Sequence, residues 1–112
     1  MTEEEYKNLI SEKDVLDHTT LNVTLKEVAS RKEFELSKEI ERVLKNNKIE
    51  KPDIQSMAYS TNYYMVDLPP DHIERIIDIF IDLEEGHLGA DGEPTPTASF
   101  YASLGDKWSE LE

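Results

Sequence analysis

Apolar residues recur at helical spacing through most of this chain. From Thr2 to Lys13 they mark one face, and three glutamates fill the first turn, where a helix dipole favours negative charge. A second helix is predicted from about Thr24 or Ser30 to Asn47, because two Ser/Thr-x-x-Glu capping boxes precede a longer apolar stripe. The apolar positions of the two segments are Tyr6, Leu9 and Ile10, then Leu25, Val28, Ala29, Leu36, Ile40, Val43 and Leu44.

Two segments also carry patterns typical of β-strands. Residues Thr20–Leu25 alternate between polar and apolar side chains, and this alternation overlaps the start of the second predicted helix. Ile54–Leu68 fits a helical stripe, but its run of Tyr, Ser, Thr and Asn is poor in helix formers and favours a strand. We expect this strand to pair with Leu21–Leu25 or with a second copy of the chain.

Pro70–Glu85 gives the clearest helical pattern. Proline suits the first turn, and Gly86 is expected to end the helix as a left-handed residue. Residues 86–97 are polar and rich in Gly and Pro, which predicts a flexible loop or linker. An amphipathic C-terminal helix should follow, and it either covers the protein's own core or docks into a partner's groove. Its apolar positions are Phe100, Leu104, Trp108 and Leu111.

These elements predict a mainly α-helical fold of about four helices with at most two short strands, and α+β is the alternative. A length of 112 residues favours a single domain over residues 1–112. The chain has no cysteine, no secretory signal pattern and no apolar run long enough for a membrane span. We therefore expect a cytoplasmic protein.

The net charge of −13 is distributed unevenly. Met1–Asn22 holds six acids and two bases, for −4, and Val23–Lys51 holds six acids and eight bases, for +2. Pro52–Glu112 holds thirteen acids against Arg75 and Lys107 alone, for −11. Such a field repels nucleic acid and anionic membranes and attracts basic proteins, or it only keeps the chain in solution.

Five carboxylates of the helix over Pro70–Glu85 share one edge. At 100° per residue they fall within about 80° of one another, whereas the apolar residues from Ile73 to Leu83 cover about 200° and predict a deeply packed helix. The acidic stripe is a solvated face, a docking ridge for a basic surface, or part of a divalent metal site. Its members are Asp71, Glu74, Asp78, Asp82 and Glu85.

The leading functional hypothesis is stoichiometric binding and inhibition of a basic protein partner. Immunity proteins, antitoxins and phage anti-defence proteins work in this way, because nuclease clefts are lined with Lys and Arg and an acidic ridge competes for them. The predicted partner-binding residues are the acidic stripe together with Asp91 and Glu93 of the following loop. No cofactor is expected under this hypothesis.

The metal alternative has a family resemblance behind it. Residues 77–83, with Asp78 and Asp82 one turn apart, resemble the second acidic helix of the all-α, MazG-like nucleoside triphosphate pyrophosphohydrolases. The resemblance implies a Mg²⁺-dependent enzyme with acids on two neighbouring helices, although the acids here are four residues apart where the family has them three apart. The implied ligands are Glu35, Glu39, Glu74, Asp78 and Asp82.

Other chemistry has little support, so we lean against an enzyme. No two of His18, His72 and His87 stand at zinc-ligand spacing, and the chain has neither a nucleophile elbow nor a phosphate-binding glycine loop. A basic cluster near the end of the second helix, Lys45, Lys48 and Lys51, is expected to complement the helix dipole. A non-catalytic homodimer, joined through the aromatic residues, is the remaining hypothesis.

Overall fold

A computed structural model describes residues 2–51 and 61–112 of the protein. The chain forms two compact units, Met1–Asp67 and Leu68–Glu112. Within the described residues there are five helices and one two-stranded antiparallel sheet, so the mainly α-helical prediction is confirmed with one helix more than expected. The prediction of a single domain stays a prediction.

The first unit begins with a capped helix. The side chain of Thr2 accepts a hydrogen bond from the backbone N–H of Glu5 at 3.2 Å. This helix ends at Ile10, three residues before the predicted end. In chain order the elements of this unit are α1 (Glu3–Ile10), β1 (Val15–Asp17), α2 (His18–Ser30), α3 (Phe34–Asn46) and β2 (Tyr63–Met65).

The prediction of one continuous helix up to Asn47 is wrong, because the chain turns sharply between α2 and α3. Lys32 adopts the left-handed conformation with φ 61°. Its N–H donates to the carbonyl of Ala29 and the N–H of Glu33 donates to the carbonyl of Val28, both at 3.0 Å. This pair of bonds is the Schellman motif, which satisfies the last carbonyls of α2. The sequence did not indicate this turn, because lysine occupies the left-handed position where glycine is usual.

Lys32→Gly should raise the free energy of unfolding by about 0.5–1 kcal/mol. A Cβ in the left-handed region costs about 1–2 kcal/mol, which the substitution removes. Part of this stabilisation is offset because glycine has more conformational freedom in the unfolded chain. Urea denaturation followed by circular dichroism measures the change. The control is Lys38→Gly inside α3, which should lower the free energy of unfolding by about 1 kcal/mol. Equal losses in both variants would contradict the strain at Lys32.

Neither predicted capping box begins a helix. Thr24 lies inside α2, where its buried hydroxyl donates to the carbonyl of Thr20 at 2.7 Å. Ser30 is the last residue of α2, and its hydroxyl donates to the carbonyl of Glu27 at 2.9 Å. The alternation over Thr20–Leu25 is therefore a helical segment, and its interpretation as a strand is wrong.

The strand predicted within Ile54–Leu68 is confirmed for Tyr63–Met65, and residues 52–60 lie outside the described part of the chain. Its predicted partner is wrong. β2 pairs antiparallel with β1, and Leu16 stands opposite Tyr64. On the other edge of β2, the N–H of Ile49 donates to the carbonyl of Tyr63 at 2.9 Å.

The core of the first unit has apolar residues from every element. α2 packs against α3, and their buried residues include Leu21, Val28, Ile40 and Val43. A second cluster joins α1 to the sheet. It consists of Tyr6, Val15 and Ile49, with Leu9, Ile10, Tyr63 and Met65 packed against it.

The second unit is a pair of packed helices, α4 (Pro70–Gly86) and α5 (Pro96–Ser109). Both begin with proline in the first turn, as the sequence predicts for α4, whereas Pro96 was expected in the loop over 86–97. Gly86 does not adopt the predicted left-handed conformation; it lies inside α4, and His87 caps the helix with φ −117°. The buried apolar residues of this unit are Leu68, Ile73, Ile76, Ile79, Phe80, Ala98, Leu104, Trp108 and Leu111.

Two apolar residues of this unit depart from the predicted packing. Ile81 is 45% exposed, although the wide apolar arc predicted a helix packed on all but one edge. Phe100 is 42% exposed, although its spacing placed it with Leu104 and Trp108 on the buried face. Leu104, Trp108 and Leu111 are buried as predicted, and Ala98 is buried in addition.

Candidate functional site

α4 carries the acidic stripe on a face that points to solvent. The five carboxylate residues follow one another at intervals of three or four, so they lie on one side of the helix. Opposite them, α4 is buried through Ile76, Ile79 and Phe80. The structure therefore brings the stripe together as one exposed row, and its role in partner binding stays a prediction. The exposed residues are Asp71, Glu74, Asp78, Asp82 and Glu85.

The loop residues Asp91 and Glu93 lie in the connection between α4 and α5, and both are exposed. The connection is tied by hydrogen bonds: the N–H of Gly89 donates to the carbonyl of Glu93 at 2.7 Å. Gly92 has φ +77°, a conformation that glycine adopts without strain. Asp91 and Glu93 thus stand on a defined turn that follows the C-terminal end of the stripe.

The second unit is much more acidic than the first. Between Leu68 and Glu112 there are eleven Asp and Glu residues against Arg75 and Lys107, for a net charge of −9. These residues account for most of the chain's net charge of −13. A concentration of one sign on two helices attracts an oppositely charged surface and speeds its association.

A shallow groove of about 140 Å³ runs between α4 and α5. Its walls include half-buried Ile77 and Tyr101 as well as the exposed Ile81. Gly105 lets the two helices approach closely, because a Cβ there would lie 3.4 Å from the Cβ of Phe80. No pattern in the sequence indicates this groove. Polar residues at its rim are Glu84, Asp106 and Ser109.

The groove and the acidic stripe adjoin one another at Ile81. Asp78 lies three residues before Ile81 and Glu85 lies four residues after it, so both neighbour it on the surface of α4. The exposed part of the second unit therefore combines a depression lined by both apolar and polar side chains with the carboxylates that border it. A molecule seated in the groove would also meet the stripe.

The residues implied by the metal alternative are divided between the two units. Glu35 and Glu39 are on α3, whereas the other three are on α4. Glu39 accepts a hydrogen bond from the Arg42 guanidinium at 2.8 Å. Among the described residues, no group of three or more His, Asp and Glu side chains is arranged to hold a metal ion.

Arg42 also binds Asp67, a pair that the sequence analysis missed. Two guanidinium nitrogens of Arg42 donate to the Asp67 carboxylate at 2.9 and 3.2 Å, and the Asn47 side-chain amide donates to it at 3.1 Å. The hydrogen bonds from Arg42 hold the pKa of Asp67 below its usual 3.8. The network fixes the end of α3 against Asp67, which lies two residues beyond β2, and we assign it a structural role.

Asp67→Asn should lower stability slightly at neutral pH and much less in acid. A carboxylate whose pKa is lowered in the folded state contributes stability above its unfolded pKa, and the contribution disappears as pH falls through the folded value. Because the Asp67 side chain is 55% exposed, we expect a difference of about 0.5 kcal/mol at pH 7. Urea denaturation at pH 7 and about pH 3 measures it.

The lysines and histidines considered in the sequence lie at helix ends or contact neighbouring polar groups. Lys45 lies in the last turn of α3, as predicted, whereas Lys48 and Lys51 lie beyond it and line an open depression with Asn46, Glu50 and Asn62. His18 Nδ1 lies 3.2 Å from the Tyr64 hydroxyl. His87 Nδ1 donates to the carbonyl of Leu83 at 2.7 Å.

Compared with protein-family models, curated proteins and solved structures, the chain gives no match. In the part of the chain that the structure describes, no helix combines the length and the apolar character that crossing a membrane requires.

Proposed function

We propose that the protein binds a basic protein partner through the acidic face of α4 and inhibits that partner by occupying its anion-binding surface. The single observation that carries this proposal is the exposed row of five carboxylates on one face of a helix whose opposite face is buried. Neighbouring like charges at this spacing repel one another, and a basic surface relieves that repulsion on binding.

The partner's surface is one that normally holds phosphates. Nuclease-type clefts collect Lys and Arg, so a row of carboxylates on a rigid helix competes with nucleic acid for them. Immunity proteins, antitoxins and phage anti-defence proteins are the classes that fit this mode of action. The lack of cysteine supports a cytoplasmic location for the complex.

The experiment compares three immobilised full-length baits. They are the wild type, Asp78→Lys with Asp82→Lys, and a control with Glu12→Lys and Glu41→Lys that changes the net charge equally at exposed sites of the first unit. A basic protein retained by the wild type and the control, but not by the stripe variant, is identified by mass spectrometry. It is then purified and titrated calorimetrically.

We expect one-to-one binding that weakens with salt and that inhibits the purified partner. Two results would overturn the proposal. One is equal capture of every basic protein by the stripe variant and the control. The other is a bound partner that keeps full activity when saturated.

A further inference from the structure

The groove between α4 and α5 has the size of one apolar side chain. A cavity of about 150 Å³ lined by Leu, Ile and Phe holds a benzene ring, and this groove measures about 140 Å³. Its apolar walls are provided by Ile77, Phe80, Ile81, Tyr101 and Ala102 at the junction of two helices, and polar residues complete the lining. Buried apolar or aromatic anchors of this kind contribute most of the affinity in many protein interfaces.

The charge around the groove selects the occupant. Glu84 and Asp106 stand at its rim, and the acidic stripe passes beside Ile81 at Asp78 and Glu85. A second copy of the chain would bring another unit of net charge −9 against this one, at a cost in repulsion. A segment with basic residues around an apolar anchor matches both the groove and its rim.

We propose that the groove docks a basic amphipathic helix of the partner, with a Leu or Phe anchor in the depression and Lys or Arg on the carboxylates beside it. This inference rests on the proposed function and adds the shape of the partner's binding segment. Ile81 is the central contact, because it is exposed, lines the groove and adjoins Asp78 and Glu85. Charge attraction speeds the association of the partner, and the apolar anchor fixes where its helix binds.

The test uses a synthetic amphipathic peptide with leucines on one face and lysines on the other, and a matched peptide whose leucines are alanines. Both are titrated into the full-length protein and followed by amide chemical shifts. The leucine peptide should perturb residues of the groove, and the alanine peptide should bind about tenfold more weakly.

Matched variants test the groove from the protein side. Ile81→Ser should weaken the leucine peptide about tenfold. Phe100→Ser removes a similarly exposed apolar residue that does not line the groove, and it should leave the affinity unchanged. Because both residues are on the surface, circular dichroism should show both variants folded.

Separate measurements test whether the groove docks the helix and whether the acidic face binds a basic partner. Equal binding of the two peptides, or unchanged affinity in Ile81→Ser, overturns the groove, and loss of binding in Asp78→Lys with Asp82→Lys then still supports the proposed function. Unchanged affinity in that double variant contradicts the proposed function and the basic character of the occupant. A wild-type dimer in analytical ultracentrifugation that Ile81→Ser dissociates and Phe100→Ser does not would assign the groove to a second copy, and would overturn this inference.

Discussion

Replacing Trp108 with alanine is expected to lower the free energy of unfolding by about 3–5 kcal/mol. Trp108 is the largest of the fully buried side chains, with 0% of its surface exposed, and it lies on α5 in a unit made of only two helices. Alanine removes most of the side chain's apolar area and leaves a cavity that the surrounding residues fill only in part. This loss is a large fraction of the about 5–15 kcal/mol by which domains are stable.

Urea denaturation followed by far-ultraviolet circular dichroism measures this effect, since the variant lacks the chain's only tryptophan. Trp108→Phe keeps an aromatic ring in the core and should lose less. Phe100→Ala is the surface control, because its side chain is 42% exposed, and it should change stability far less. A change below about 1 kcal/mol in Trp108→Ala would show that this residue is not the centre of the core of the second unit.

Much of α4 could be predicted from local sequence alone. The first-turn proline marks its start, and the period of its acids and isoleucines separates an exposed from a buried face. The exposure of Asp78 and Asp82 followed from this periodicity without knowledge of any neighbouring element. Local signals are sufficient where the helix is long and its two faces differ strongly in polarity.

Most features that the sequence did not predict depend on contacts between distant parts of the chain. β1 is only three residues long, and its partner Tyr63–Met65 lies far along the sequence, so no periodicity identifies the pair. The turn at Lys32 lacked the glycine that usually marks it. The groove needs the packing of α4 on α5, and the bond between Arg42 and Asp67 spans 25 residues. The strand pair, the groove and the bond between Arg42 and Asp67 depend on tertiary contacts, which a local pattern does not encode, whereas the turn at Lys32 is local and lacks only its usual residue.

Asp78→Lys combined with Asp82→Lys should abolish partner binding and raise the stability of the free protein. In the wild type, Asp78 follows Glu74 by four residues and precedes Asp82 by four, so carboxylates repel one another along the stripe. The two lysines replace repulsion with attraction to Glu74 and to Glu85, which is offset in part because they repel each other and Arg75. Lysine also favours a helix more than aspartate does, and together these effects are expected to add about 1 kcal/mol.

The double variant is expected to gain stability and to lose partner binding, and this combination distinguishes a functional surface from a solvated one. Charges selected only to keep a helix solvated could be exchanged without loss, whereas charges that reduce stability and are needed for binding indicate a functional surface. Urea denaturation measures the first effect, and calorimetric titration with the captured partner measures the second, where we expect at least a hundredfold loss, or about 2.7 kcal/mol. The Glu12→Lys, Glu41→Lys control should retain its affinity. Raised stability with unchanged affinity would leave the acidic face of α4 as a solvated surface and nothing more.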